Sequence, residues 1–312
     1  MIKIITEPKI YVVGDQCFDD HEIDSFLEDE GVSQYRIREE YDPEILSEVA
    51  GRLCYMSFKK PRPGGSKAYF QHILEEGHGS VLEHAVFNFI VTGVSRSFSH
   101  ELIRHRAGVS VSQLSQRFVD ESDVAFVVPP AMINQWVAWT VVEKAKTDGV
   151  EGLDELPERE QAERFNRWVL HRQRNLDEYQ GLQTEIVQEL AIPEFPAETW
   201  SDGQGPESWV ELNDAIAKLP NEKRTSIRKR ANEAARSVLP NCTETKLFLT
   251  MNARALRNIL EQRGAAGADA EIRRFAMKLH TILVGLAPNL FGDFSVVEGP
   301  NGDYLYTPYH KV

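Results

Sequence analysis

The segment from Arg104 to Arg117 places the strongest demand on any fold that this chain adopts. Its fourteen residues include three arginines and a histidine but no acidic residue, and a glycine and three serines lie between its two cationic ends. Guanidinium groups bind phosphate and carboxylate bidentately, and Gly and Ser let backbone N–H groups approach an anion closely. The segment therefore predicts a site for a phosphorylated small molecule, although a solvated basic loop would share this composition.

The net charge of the whole chain makes a generally basic surface untenable. The sequence holds 35 Lys and Arg against 48 Asp and Glu, a net charge of −13. Such a charge repels nucleic acid backbones and anionic membrane surfaces. An RNA-binding module is further disfavoured because no aromatic residues are interleaved with the cations of residues 104–117. No apolar run approaches the roughly 20 residues that cross a bilayer, so we expect neither a nucleic acid nor a membrane partner.

The cysteines indicate a reducing, cytoplasmic setting. Cys17, Cys54 and Cys242 are odd in number and form no CxxC pair, so neither a disulfide framework nor a structural zinc site is expected. The first ten residues lack the apolar core of a secretion signal. We expect Cys54 and Cys242 to be small core residues.

Apolar periodicity predicts a mixed set of strands and helices. Period-two patterns predict strands at 2–5, 11–13, 86–92 and 243–250, and a closing hairpin from 294–297 and 304–306. Helical patterns cover 42–55, 66–76, 95–103, 157–190, 207–237, 253–263 and 269–286, with Asp42, Ser66 and Ser95 at helix starts. Residues 104–113 are interpreted as a helix exit and a loop, and 61–65 as a loop. We interpret residues 1–312 as one domain with an elaboration at about 144–222 inside it.

Polar residues upstream of the cationic segment leave alternatives open. Ser80 and Glu83 either hydrogen-bond a polar ligand or form a capping box at a helix start. Glu101 shares a helical face with Arg104 and either pairs with it or accepts a hydrogen bond from a ligand. A metal-dependent hydrolase is a further alternative, but it would lack both an HExxH motif and a close Asp/His pair; its candidate ligands are His78, His84, His100 and His105.

A third polar cluster follows residue 236. Arg254 and Asn258 are four residues apart and face the same way on the helix predicted at 253–263, while Arg263 lies at its C-terminal end, where a cation also complements the helix dipole. A surface role is predicted for Arg257, Arg273 and Arg274. No P-loop, GxGxxG or GxSxG motif is present.

These segments, in this order, resemble the flavin-dependent thymidylate synthases. The family signature is an RHR triplet, a short spacer and a serine, matched here by Arg104-His105-Arg106, eight residues and Ser115. The resemblance covers about 42–143 and 224–294, and its other motifs are His78-x-Ser-x-x-Glu-His84, Ser95-Arg96, Gln113-Leu-Ser-Gln-Arg-Phe118, Ala235-Arg-Ser-Val-Leu-Pro-Asn241, Asn252-x-Arg254, Arg263 and Pro288-x-x-Phe-Gly-Asp-Phe294.

The resemblance implies an α+β fold with a central antiparallel sheet flanked by helices. It also implies a homotetramer whose sites take residues from several subunits. The implied activity is a methyltransferase reaction that converts dUMP to dTMP without an enzyme nucleophile. The one-carbon donor is 5,10-methylenetetrahydrofolate, and FAD reduced by NADPH supplies the hydride, so the protein contributes positioning and electrostatics. The alternative is a related flavoenzyme of the same fold that acts on another pyrimidine nucleotide or methyl acceptor.

The resemblance also assigns site residues one by one. Ser115, Arg117 and Arg236 hold the dUMP phosphate, and Gln113, Leu114 and Gln116 shape its pocket. Glu101, Arg104 and Arg263 also contact the nucleotide. The residues implied for FAD are Ser80, Arg104, His105, Arg106, Gln113, Asn252, Arg254 and Asn258.

Arg263 is the implied catalytic residue, placed against the uracil ring, where a guanidinium would stabilise charge on the N3/O4 side as C5 becomes nucleophilic. Glu101 is a variant, since some members have Gln there. One departure is the eight-residue spacer, where many members have seven; it requires a one-residue bulge in 107–111 that Gly108 can absorb. No metal is expected.

Overall fold

The computed structural model describes residues 2–35, 41–59, 63–196, 199–200 and 205–312. Its chain divides into two units, each with its own apolar core. The strand-rich unit comprises Glu7–Gln113 and Thr245–Val312, and the helix-rich unit comprises residues up to Thr6 together with Leu114–Glu244. Parts of the predicted 61–65 loop and of the 144–222 elaboration lie outside the described residues.

The strands are β1 (Lys3–Ile5), β2 (Lys9–Gly14), β3 (Val86–Ser95), β4 (Val109–Gln113), β5 (Ala125–Val127), β6 (Glu244–Asn252), β7 (Ser295–Val297) and β8 (Tyr304–Tyr306). The helices are α1 (Asp20–Asp29), α2 (Asp42–Tyr55), α3 (Gly65–Glu75), α4 (Arg96–Leu102), α5 (Ile133–Thr147), α6 (Arg159–Ala191), α7 (Trp209–Lys218), α8 (Asn221–Ala235), α9 (Ala253–Arg263), α10 (Ala270–Leu286) and α11 (Pro288–Phe291).

The strand-rich unit is built on a four-stranded sheet with the order β2-β3-β6-β4. The β2–β3 and β4–β6 pairs are antiparallel. Alternation along β3 buries Phe87, Phe89 and Val91 completely and leaves the residues between them on the other face. The expected antiparallel sheet with flanking helices is therefore confirmed, and so is the closing hairpin, formed by β7 and β8.

Helix α10 closes the core of this unit. Its predicted apolar face is largely confirmed: Ile272, Phe275, Ala276, Leu279 and Leu283 are fully buried, while Leu286 at the helix end is only partly buried. Such an apolar stripe must be covered by another element, and here it packs into the cluster formed by the sheet and α9.

The helix-rich unit is dominated by α6, which runs for 33 residues and packs against α5 and α8. Strand β1 pairs in parallel with β5, with Ile4 opposite Phe126. Its core gathers Phe126 and Phe165 with several partly buried tryptophans, and Trp139 and Trp168 both contact the Phe165 ring. Two helices, α7 and α8, occupy the predicted helical region 207–237, because Pro220 interrupts it.

Several local predictions are wrong. Residues 109–113 form β4, not a loop, because β6 supplies hydrogen-bond partners that the short Val-Ser-Val-Ser run does not reveal. Asp42 is the first residue of α2 and not its cap; its Oδ2 accepts instead from the Phe18 N–H at 3.1 Å. Left-handed Gly64 precedes α3 in place of a Ser66 cap. The sequence patterns predicted neither α5 nor β5.

The expected core role of Cys54 is also wrong, since the structure exposes it. Cys17 is exposed as well, and half-buried Cys242 packs beside the apolar cluster of the helix-rich unit. Cys54 lies near the C-terminal end of α2, on the helix side that the core does not cover.

The surface roles predicted for Arg257 and Arg273 are wrong, because both side chains are buried. Arg257 is 3% exposed and donates to both carboxylate oxygens of Asp293, at 2.6 and 2.9 Å, and to the Leu290 carbonyl at 2.6 Å. Arg273 donates to the carbonyls of Ala266 and Asn301. A buried cation is tolerated when carboxylate and carbonyl oxygens replace its hydration.

We predict that Arg257→Met destabilises the protein by about 3–5 kcal/mol, because it leaves the Asp293 carboxylate buried and unpaired. Chemical denaturation measures the change. Arg274→Met is the control: its side chain is 36% exposed and pairs with an exposed Glu7, so a loss of at most about 1 kcal/mol is expected. Equal losses in the two variants would contradict the structural role of the buried pair.

Candidate active site

A cavity of about 490 Å3 lies in the strand-rich unit, lined mainly by the turn that joins α4 to β4, by α9 and by residues 311–312. Arg104, His105 and Arg106 line it from the turn that follows α4, and Asn252, Arg254 and Asn258 line it from the start and first turns of α9. Arg263 lines it from the end of α9. Two segments about 150 residues apart in the sequence thus converge on one cavity.

Helix α4 is anchored at its start, and this anchor fixes the turn that follows it. The Ser95 hydroxyl accepts from the Phe98 N–H at 3.0 Å, which confirms Ser95 as the N-cap, and it donates to Glu271 Oε2 on α10 at 2.6 Å. Burial raises the pKa of the Glu271 carboxyl. At the other end of α4, the backbone N–H of His105 donates to the Leu102 carbonyl at 3.1 Å.

A close contact between Gly108 and Asn252 joins the turn that holds Arg104–Arg106 to α9. Gly108 has φ +69°, and an ideal Cβ there would lie 2.4 Å from Asn252 Nδ2, so only glycine fits. The Asn252 N–H donates to the Gly108 carbonyl at 3.0 Å, and Asn252 Oδ1 caps α9 by accepting from the Ala255 N–H at 2.9 Å. Gly108 thus adopts a left-handed conformation just before β4, whose pairing with β6 is regular from Val109 to Gln113.

Four of the predicted site residues form one hydrogen-bonded chain. Arg263 donates from Nη1 to Glu101 Oε2 at 2.8 Å, from Nη2 to the Glu101 carbonyl at 3.2 Å, and from Nε to His105 Nε2 at 3.0 Å. His105 Nδ1 lies 3.1 Å from Asn258 Oδ1. The alternative that Glu101 pairs with Arg104 is wrong: its carboxylate bonds Arg263, 162 positions away.

Burial lowers the pKa of His105. The hydrogen bond with Asn258 acts in the opposite direction, and the adjacent Arg263 guanidinium lowers the pKa further. Burial and the neighbouring guanidinium both favour the neutral form of the His105 imidazole.

The cavity is strongly cationic within an acidic protein. Arg104, Arg106, Arg254, Arg263 and Lys311 line it. Glu83 contributes a carboxylate to the lining, and it accepts from Arg254 Nη1 at 2.6 Å. Such a concentration of positive charge favours an anionic ligand.

The contact between Glu83 and Arg254 excludes one of the two alternatives for the segment 79–84. This segment is a 3₁₀ helix that follows His78, and the cap position has no side-chain hydrogen bond. The capping box of Ser80 and Glu83 is therefore wrong, because the Glu83 carboxylate bonds Arg254 instead.

A second cavity, of about 670 Å3, adjoins the first, and Arg254 lines both. Ser80 lines this second cavity and not the first. Arg52 lies in its wall between the rings of Tyr35 and Tyr69, whose centroids are 5.0 and 4.8 Å from the guanidinium carbon, and its Nε donates to Glu48 at 2.6 Å. The hydroxyl of Tyr69 is buried without a hydrogen-bond partner among the described residues, and burial raises the pKa of Tyr69 to about 12.

Gln113 was predicted to contact both dUMP and FAD. The structure places its side-chain amide between two hydroxyls. Its Nε2 donates to Ser99 Oγ at 3.0 Å and to Thr245 Oγ1 at 3.1 Å. The contact ties the end of β4 to α4 and β6 of the strand-rich unit. Gln113 Oε1 is left as the group that a ligand could use.

The remaining predicted residues belong to the helix-rich unit. Residues 115–119 form a turn in which the Ser115 carbonyl accepts from the N–H groups of Phe118 and Val119. Arg117 donates from Nε and Nη2 to Glu233 Oε2 on α8, each at 3.0 Å, with both side chains nearly half exposed. Arg236 follows α8 three residues after Glu233. The other predicted residues here are half-buried Leu114 and buried Gln116.

Sequence patterns missed several residues at these sites. Gln262 and Lys311 line the first cavity, and Arg52 and Tyr69 line the second. Glu233 could have been noticed, since it precedes Arg236 by three positions on a helix, but nothing local indicates its pairing with Arg117. The four cavity residues become part of a site only because segments that are distant in the sequence pack together.

The described parts of the chain show neither a metal-binding cluster nor a helix that could span a membrane. There, no group of three or more His, Cys, Asp and Glu side chains is placed to hold a metal ion. His105, one of the candidate ligands, bonds Asn258 and Arg263 instead. Over the same residues, no helix combines the length and apolarity that crossing a bilayer requires.

Comparison with known proteins places these features in a family context. The model of the thymidylate synthase complementing protein family matches residues 37–289. The flavin-dependent thymidylate synthase of Mycobacteroides abscessus is 37% identical over 259 residues, covering 82% of each chain, and that of Mycobacterium sp. (strain JLS) is 38% identical over 267 residues, covering 84% of each.

A solved structure shares the fold. The UMP/dUMP methylase PolB from Streptomyces cacaoi, bound with 5-Br UMP, superimposes with a TM-score of 0.53 and covers 93% of this chain and 95% of its own, at 18% identity. At that identity the likeness concerns the fold alone. By the extent of the family match and the identity to these relatives, the chain belongs to the thymidylate synthase complementing protein family, together with the flavin-dependent thymidylate synthases.

Proposed function

We propose that this protein is an FAD-dependent thymidylate synthase that methylates dUMP to dTMP. In this proposal 5,10-methylenetetrahydrofolate is the one-carbon donor and NADPH the reductant. The observation that carries it is the cationic cavity in which the Arg104–Arg106 turn meets Arg254, Asn258 and Arg263. The relatives named flavin-dependent thymidylate synthase, 37–38% identical over more than four fifths of this chain, support the same activity.

The residues around the two cavities fit a flavin dinucleotide. Glycine is required at two positions of the cavity linings: an ideal Cβ would lie 2.4 Å from the Val312 backbone at Gly79 and 2.4 Å from Asn252 Nδ2 at Gly108, so neither position admits a side chain that could narrow the cavities. Exposed guanidinium groups suit a pyrophosphate, and the orphaned Tyr69 hydroxyl offers a buried donor. The residues that would hold FAD are Ser80, Arg104, His105, Arg106, Gln113, Asn252, Arg254 and Asn258.

When bound, FAD supplies the hydride chemistry, and the protein's residues supply binding and electrostatics. Arg263 is the proposed catalytic group. Its guanidinium is fixed by Glu101 and His105 before any ligand enters, so it can stabilise charge on the N3/O4 side of a pyrimidine without reorganising. Glu101 and Arg104 are proposed to contact the nucleotide as well.

The dUMP phosphate is proposed to bind Ser115, Arg117 and Arg236, with Gln113, Leu114 and Gln116 shaping its pocket. These assignments rest on the family resemblance and on the charge of the turn at 115–119. We further propose a cytoplasmic homotetramer whose sites draw on several subunits. The residues that contact one nucleotide can then come from different copies of the chain.

Purified protein reconstituted with FAD is expected to be yellow and to bleach with NADPH under anaerobic conditions. Formation of dTMP should require dUMP, FAD, NADPH and methylenetetrahydrofolate, each omitted in turn. A parallel assay with UMP tests the alternative that another pyrimidine nucleotide is the acceptor. A colourless protein that binds no FAD would reject the flavoenzyme, and methylation of UMP alone would reject the dUMP assignment.

We predict that Arg117→Ala weakens dUMP binding by about 1.5–3 kcal/mol, since a hydrogen bond to a charged group is lost. This corresponds to roughly a ten- to hundredfold rise in Kd, measured by calorimetry. Arg228→Ala, which removes an exposed arginine of α8, is the matched control and should leave the Kd unchanged. Wild-type affinity in Arg117→Ala would show that the phosphate binds elsewhere.

Glu233 holds the guanidinium that the phosphate is proposed to use, so the two anions compete for Arg117. Glu233→Gln is therefore expected to tighten dUMP binding. Because both side chains are nearly half exposed, the gain is at most about 1 kcal/mol, or roughly fivefold in Kd. Glu222→Gln, at the start of α8, is the control. Weaker binding in Glu233→Gln would mean that the carboxylate contacts the nucleotide directly.

A further inference from the structure

The chain Glu101–Arg263–His105–Asn258 crosses the boundary between the two proposed ligand sets. Its first two members are assigned to the pyrimidine and its last two to the flavin, yet the structure joins them by consecutive hydrogen bonds. A change at one end of such a chain reaches the other end through donor and acceptor roles.

The protonation state of His105 follows from these contacts. The Arg263 guanidinium is always protonated, so its Nε can only donate. His105 Nε2, 3.0 Å away, must then be the unprotonated acceptor. A neutral imidazole with a bare Nε2 carries its proton on Nδ1, and this proton points to Asn258 Oδ1 at 3.1 Å. The Asn258 carboxamide can accept this hydrogen bond only through its oxygen.

The opposite tautomer would break the chain. A proton on Nε2 would face the Nε–H of Arg263, so that two donors meet. The unprotonated Nδ1 would then face Asn258 Oδ1, so that two acceptors meet. A doubly protonated ring would place a second positive charge beside the guanidinium. Burial, which lowers the pKa of His105, disfavours that state too.

We propose that Asn258 is a positioning residue for Arg263, acting through the tautomer of His105. By accepting the Nδ1 proton, it keeps Nε2 as an acceptor, which holds one edge of the guanidinium while the carboxylate and carbonyl of Glu101 hold the other.

Three contacts from α4 and the following turn thereby fix the plane of a long, rotamer-rich side chain. Three of the five guanidinium N–H groups are used, and the other two are left for a ligand in the cavity. This role deepens the proposed function, and rests on it only in naming the pyrimidine as the group that Arg263 meets. The tautomer itself depends on the protein alone.

The direct test is ¹⁵N NMR of the full-length protein labelled at histidine, because imidazole nitrogen shifts distinguish Nδ1–H from Nε2–H. Loss of a resonance in His105→Gln assigns the ring. At a pH above the His105 midpoint, we expect Nδ1 protonated and Nε2 bare in the wild type and in Asn258→Asp, which retains the oxygen acceptor. Asn258→Leu should show a mixture or the Nε2–H form. The control Gln262→Leu removes a neighbouring cavity residue and should leave the protonation of the His105 ring nitrogens unchanged.

The variant Asn258→Asp allows a second measurement, the pH midpoint of His105. In Asn258→Asp the new carboxylate lies beside Nδ1, so the pH midpoint of His105 should rise by about 1–3 units, opposed by Arg263 on the other side of the ring. The proposal would be overturned if the wild-type His105 ring carried its proton on Nε2, or if the His105 tautomer were the same in Asn258→Leu as in the wild type. If Asn258→Leu does not fold, an unshifted midpoint in Asn258→Asp would overturn it equally.

A thermodynamic cycle tests the route through Arg263. Asn258→Leu should raise the Kd for dUMP in the wild-type background and have no effect in an Arg263→Leu background, because the positioned group is gone. An equal effect in both backgrounds would overturn the positioning role. If dUMP does not bind the wild type at all, the proposed function fails, while the NMR result still decides the tautomer.

Discussion

The site of this protein depends on one close contact, the fit of the Asn252 side chain against the bare Cα of Gly108. In the antiparallel register of β4 and β6, Val109 lies opposite Met251, so the start of β4 and the end of β6 lie at the same end of the sheet. The contact between Gly108 and Asn252 lies one residue beyond this pair, and the Asn252 side chain also caps α9. Any side chain at position 108 would push the Arg104–Arg106 turn away from Arg254 and Asn258.

The electrostatics of the site depend on the same geometry. A chain of net charge −13 holds five cations around one cavity, and their repulsion is only partly relieved by Glu83 and Glu101. This residual positive charge is available to an anionic ligand. The buried Arg257–Asp293 pair differs, because the Arg257 side chain is enclosed in the core and its Nη1 and Nη2 groups already donate to carboxylate and carbonyl oxygens.

Much of the fold was predictable where neighbours in sequence are neighbours in space. The alternation of β3, the amphipathic face of α10 and the Ser95 cap are local patterns, and the structure confirms them. The failures share a cause. Strand β4 forms because β6 pairs with it, and Arg257 is buried because Asp293, 36 positions away, accepts its charge. No short window of sequence contains such partners.

The sequence alone determined the chemistry: which cations, amides and glycines the chain carries, their order, and hence the family to which it belongs. The tertiary structure decided which group each of them meets. Arg263 bonds Glu101 and His105, each about 160 positions away, and Arg117 bonds Glu233 across 116 positions. The protonation pattern of His105 follows only from those contacts. Residue type sets what a side chain can donate or accept, whereas its partner is chosen by packing between distant segments.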